Sequence, residues 1–254
     1  MPPLTTHLVV AERVFPHLEP FGAAEYGAFL TGNLVVDVNG FTSVSRRTTH
    51  FVGRFDEDGE AAFTASCANF LKQRGRLLSR PWVELTPEER AFVAGYLCHL
   101  AADELWKAMS ARLQQAWGLN SPEDMPVPPA VVLTAFSVAS HALFVDFAAV
   151  AAALDTAPLP DVFTHVAHAD FLRMWDIVHQ PLLQGNSPES FFEMLARSGQ
   201  DAAELQKVRE QHACHWDAAM ALVEQVGGVE AFVTEAAERA LEILPDLWRK
   251  SITS

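Results

Sequence analysis

The 254-residue chain has a formal net charge of −14 at pH 7, from 18 Lys and Arg against 32 Asp and Glu. That balance argues against a nucleic-acid groove or an anionic-membrane surface, since both need a basic field to attract phosphates. Hydrophobic residues make up 50% of the chain, enough for a full core, and the length does not demand a second one, so residues 1–254 are expected to form a single domain.

Hydrophobic periodicity predicts helices over about 5–18, 22–32, 60–73, 87–117, 130–154, 159–182, 188–197, 201–226 and 228–243. The fold is therefore expected to be all-α, with the helices 87–117 and 130–154 buried at its centre. The first helix carries His7 near its start, in THLVVAE. The second runs into LTGNLVVDVNG, where Asn33 to Asn39 is expected to be extended and Asp37 sits near a bend. RRTTHF follows, with Arg46, Arg47 and His50. Around it Arg54, Lys72, Arg74, Arg76 and Arg80 mix with Asp56, Glu57, Asp58 and Glu60. This is either a solvated mixed-charge surface or a local attraction for a small anion.

Thr86 before Pro87 and Ser187 before Pro188 read as N-caps with proline in the first turn, and Gly227 with Gly228 separates the last two helices. Prolines 122, 126, 128 and 129 mark a connection between core helices. Segment 130–154 is long enough to span a bilayer, but His141 and Asp146 interrupt it, so a core helix is expected there. Cys67, Cys98 and Cys214 form neither a CxxC nor an even set, and no basic, apolar leader opens the sequence. A reducing, cytoplasmic setting follows as the expectation.

The chemistry begins in AFVAGYLCHLAADELW, residues 91–106, a nearly all-apolar helix with His99 and Asp103 four apart on one face. An uncompensated buried carboxylate is strongly unfavourable. Either the two groups hydrogen-bond to each other, or they share a divalent cation that suits imidazole and carboxylate alike. His7, Asp37 and His50 precede them, so that His7, Asp37, His50, His99 and Asp103 form an ordered series.

That series, with GYLCHLAADELW as its strongest part, resembles the zinc-dependent phospholipase C family over roughly the first 110 residues. The family is an all-α group of phosphoester hydrolases related to the helical zinc nucleases. The resemblance implies a first metal on Asp37, His50, His99 and Asp103, and a second on His7 with Asp103 bridging. Asp37 and Asp103 would then be the catalytic carboxylates, with Arg46 or Arg47 neutralising a substrate phosphate. It implies zinc, in up to two ions, although Fe, Mn or Ni would suit the same ligands. The family's third metal uses a His-x3-Glu pair, which this chain lacks. A polar stripe with Asp161, His165, His168, Asp176 and His179 is either solvated or part of a pocket wall, and His141 is either a core histidine or its neighbour in that pocket. His212 and His215 are expected to face solvent.

The expected function is a divalent-metal-dependent phosphoester hydrolase acting on a small phosphodiester or monoester, with homo-oligomers allowed. The alternative is a non-catalytic helical protein stabilised by one structural metal. A di-iron bundle is weaker because no Glu-x-x-His occurs.

Overall fold

The computed structural model describes residues 2–18, 21–51, 66–116, 125–143, 146–157, 160–163, 166–184 and 187–249. Among them lie eleven α-helices and no strand beyond an isolated antiparallel bridge between Leu78 and Phe163. The helices are α1 (Leu4–Val14), α2 (Ala23–Val35), α3 (Arg46–His50), α4 (Ser66–Leu77), α5 (Pro87–Ala116), α6 (Pro129–Ala142), α7 (Phe147–Thr156), α8 (His168–Gln184), α9 (Pro188–Arg197), α10 (Ala202–Gln225) and α11 (Gly228–Arg249). The all-α expectation holds.

Helix α5 is the axis of the fold. Its Ala91 to Ala102 stretch is buried on almost every side, among residues of one continuous apolar cluster. A reciprocal cap starts the helix: Thr86 N donates to Glu89 Oε2 at 2.8 Å and Glu89 N donates to Thr86 Oγ1 at 3.3 Å. The helix that packs most extensively on α5 is α2. The cause is a pair of glycines. A Cβ at Gly32 would lie 1.9 Å from the Phe92 carbonyl oxygen, and one at Gly95 would lie 1.9 Å from that of Phe29. The two backbones touch because neither glycine has a side chain to hold them apart.

The 130–154 segment is not one helix. α6 and α7 are bent by 99° from each other, and Asp146 caps the second by accepting from Ala149 N at 2.8 Å. Among the described residues no single helix is long and apolar enough to cross a membrane, although these two meet the length and composition together. Helix α6 instead packs on α10 and α1, stitched to the latter by Thr5 Oγ1 to Ser137 Oγ at 2.8 Å and Thr6 Oγ1 to Ser140 Oγ at 2.6 Å. Those bonds fix the start of α1, and with it His7.

Residues expected to be extended after α2 form a 3-10 helix, Val36–Gly40. Within the predicted helix over 159–182 the described helix begins at His168, and Ser79 N bonds to Val162 O at 2.8 Å beside the bridge between Leu78 and Phe163. Ser187 starts α9 without a side-chain cap bond, whereas Gly227 and Gly228 turn the chain at φ of 95° and 74° as the spacing implied.

Candidate metal centre

Four elements deliver five polar side chains to one interior point. His7 comes from α1, Asp37 from the 3-10 turn after α2, His50 from the end of α3, and His99 and Asp103 from α5. All five are buried, the three imidazoles completely. His50 Nε2 lies 3.2 Å from Asp37 Oδ1 and 3.4 Å from Asp103 Oδ2, His7 Nε2 lies 3.6 Å from Asp103 Oδ1, and His99 Nε2 lies 3.8 Å from Asp37 Oδ1. The His7 and His99 rings stack at 3.6 Å between centroids, 6° from parallel. Two compact triads result, His7 with His99 and Asp103, and Asp37 with His50 and His99, each with its ligand atoms within 4.8 Å of one another. His99 is the shared member, where the family resemblance has Asp103 between two ions.

Local structure explains why His50 points inward. Phe51, buried and non-glycine, adopts the left-handed conformation at φ 51° and ψ 31° and ends α3 abruptly. A bulky residue there carries strain that the surrounding packing sustains. The Phe51 carbonyl accepts from Asn69 Nδ2 at 3.2 Å, and the Tyr96 hydroxyl donates to the Thr49 carbonyl. Thr49 Oγ1 is 2.8 Å from His50 Nδ1, which leaves Nε2 to face both carboxylates. Tyr96 belongs to α5, one turn before His99, so a single helix supports two of the three imidazoles.

The polar atoms at this point lack partners. Both ring nitrogens of His7, Nε2 of His50, Oδ1 of Asp37 and Asp103, and at least one ring nitrogen of His99 make no hydrogen bond, the Asn33 backbone bonding the His99 ring on its other side. Each unpaired buried atom costs about 1–3 kcal/mol. Six of them would cost on the order of 10 kcal/mol, comparable to the whole stability of a domain. Protonating the imidazoles does not solve the problem. Burial, the largest cause, pushes His7 well below its ordinary value, with His99 adding to it, and pushes His50 down to about 3 against the pull of Asp103. Burial lowers His99 as well, although Asp37 and Asp103 oppose it.

Neutral imidazoles therefore face carboxylates, and among the described residues Arg46 brings a cation to one of them, its Nη2 lying 3.1 Å from Asp103 Oδ2. Three nitrogen donors and two carboxylates converging on one buried point fit a divalent cation. His7, Asp37, His50, His99 and Asp103 would hold it.

Not every expected site residue joins them. Arg46 does, but Arg47 is exposed. His141 stacks on Phe147 at 4.0 Å. Asp161 and His168 are exposed, the former with its carbonyl accepting from Ser79 Oγ, and neither belongs to the cluster. His165 lies outside the described residues. His212 corrects its expectation: it is buried, with Nδ1 2.8 Å from Val208 O and Nε2 2.8 Å from Thr134 Oγ1.

Three supporting residues went unread in the sequence: Thr49, Tyr96 and Lys107. Lys107 is one turn beyond Asp103 on α5, and burial lowers its pKa while Asp103 opposes the shift. Its i+4 spacing from Asp103 was the available signal.

Asp37 and Thr5 also line a cavity of about 200 Å³ that is mostly apolar, walled by Phe41, Leu133, Leu182 and Met194 among others. No protein-family model matches the chain, and neither does a curated protein or a solved structure.

Proposed function

We propose that the protein is a divalent-metal-dependent phosphoester hydrolase, with a fold and ligand order like those of the zinc-dependent phospholipase C family. One observation carries the reading: five buried side chains from four separate elements turn their unpartnered nitrogens and oxygens toward one another. Folding around such a cluster is hard to account for without a cation.

When bound, a divalent cation supplies Lewis-acid polarisation of a phosphoryl oxygen and a coordinated water of lowered pKa. The chain's own residues do the rest. Thr49 holds the His50 ring by Nδ1 so that Nε2 stays aimed at Asp37 and Asp103. Asp103 engages Arg46 through Oδ2 while its Oδ1 stays unpaired. Arg46, about one-third exposed, can turn its other guanidinium nitrogens to a phosphate, whose geometry it matches. Zinc is the first candidate, and Fe, Mn or Ni would accept the same donors.

The test is turnover of a chromogenic phosphodiester and its monoester by metal-replete protein, before and after chelation. Hydrolysis that stops with chelator and returns with added zinc or another of these metals supports the reading, and metal-loaded protein inert toward both esters sinks it. The complete burial of the three imidazoles favours a second reading, a closed structural metal site. In that case chelation melts the fold and no ester is turned over.

A further inference from the structure

Asp37 belongs to two places at once. Its Oδ1 is 3.2 Å from His50 Nε2 in the metal cluster, and its residue also forms part of the wall of the apolar cavity. The cavity is built where the start of α1, the 3-10 turn carrying Asp37, α6, α8 and α9 meet. An apolar hollow with a polar centre at one side is the usual form of a small-molecule site.

The wall away from Asp37 is mostly apolar. Three of its hydroxyls are already committed, Thr5 and Ser137 to each other at 2.8 Å and Thr134 to the buried His212 at 2.8 Å, while Ser187 and Ser190 contribute two more at the α9 side. Among the described residues lining the cavity, Asp37 alone carries a charge. A group entering between Leu133, Leu182 and Met194 therefore finds mostly hydrocarbon contact and no charge opposite in sign to a cation other than Asp37, so burying a second charged group there is disfavoured. Size limits the occupant too. A cavity of about 150 Å³ holds benzene, so about 200 Å³ takes one ring with a small substituent, or a short alkyl chain.

We propose that this cavity receives the organic group of the substrate, and that the substrate is a phosphoester bearing one compact, uncharged alkyl or aryl group. The proposal rests on the hydrolase reading and specifies its substrate class. The phosphoryl end lies at the cluster of His7, Asp37, His50, His99 and Asp103, and the hydrocarbon end lies between Leu133, Leu182 and Met194.

Non-hydrolysable alkylphosphonates test this by binding rather than turnover. The zinc-loaded full chain is titrated calorimetrically with methyl-, butyl- and octylphosphonate, and with 2-aminoethylphosphonate. Affinity is expected to rise by about fourfold per methylene from methyl to butyl and to level off before octyl. The amino compound is expected to bind no better than methyl. Met194→Trp should abolish the butyl advantage while leaving methylphosphonate affinity unchanged. Leu133→Ala, which removes atoms instead of adding them, should let octyl gain further and serves if the tryptophan variant does not fold.

Equal affinities for methyl- and butylphosphonate, with methyl bound, overturn the subsite and leave the hydrolase reading standing. Continued gain to octyl in the wild-type chain also overturns it, because the proposed cavity is too small for that chain. Failure of methylphosphonate itself to bind the loaded protein removes the hydrolase reading, and the subsite with it.

Discussion

Gly95→Ala probes how the fold sets the metal centre. The new methyl carbon would lie 1.9 Å from the Phe29 carbonyl oxygen, against an ordinary contact of 3.4 Å, so α2 and α5 have to part by about 1.5 Å. The obstacle is backbone, which cannot swing aside as a side chain can. Overpacking of this kind costs about 3 kcal/mol, and the better helix propensity of alanine returns about 1 kcal/mol. A net loss of roughly 2 kcal/mol lowers the melting midpoint of a domain this size by about 4–8 °C.

The same displacement reaches the site, because His99 stands one turn after Gly95 and Asp37 follows the end of α2. Their atoms are 3.8 Å apart, and metal ligation tolerates only about 0.5 Å of error. Metal affinity should therefore fall at least tenfold, read by competition with a chromophoric chelator, alongside the thermal midpoint. Gly40→Ala is the control, since its Cβ would meet nothing within 4 Å. A Gly95→Ala protein as stable and as metal-tight as the wild type would refute the argument that backbone contact between α2 and α5 positions the ligands.

His99→Ala removes the residue common to both triads and should leave less than half an equivalent of metal, whereas His7→Ala, which touches one triad, should retain the larger part; elemental analysis of both variants separates them. Thr49→Val frees His50 Nδ1 and should weaken metal binding by about 10- to 100-fold with the fold intact, as measured by chelator competition. In metal-free protein the imidazoles of His7, His50 and His99 are held neutral by burial. Their folded pKa values are depressed, so the unfolded chain takes up the protons first. The stability they contribute is complete above about pH 6.5 and falls on acidification, for His50 as far as about pH 3, by on the order of 1 kcal/mol per pH unit for each titrating histidine. Urea midpoints between pH 7.5 and pH 5 check this, and a midpoint that rises with acid would contradict it.

The cluster could be anticipated in the sequence because its cost is local: a histidine and an aspartate on a helix that is apolar all round announce an unmet need without any knowledge of the fold. The α2 to α5 contact could not, since Gly32 and Gly95 look like ordinary helix-weakening residues until two backbones are seen to touch. The extended piece expected over Asn33 to Asn39 gives way to the end of α2 and a tight 3-10 turn in which Val36, Asp37 and Val38 are buried. Asp146 was read as an interruption within one helix, whereas it caps a second. His212 was misjudged because the charged residues of α10 say nothing about which side faces Thr134.

The most direct measurement is metal content by elemental analysis of the full chain purified with metal present throughout. Our account predicts one to two divalent ions per chain, tightly enough held to survive desalting. Less than half an equivalent, in protein that is nonetheless folded and stable, would contradict it.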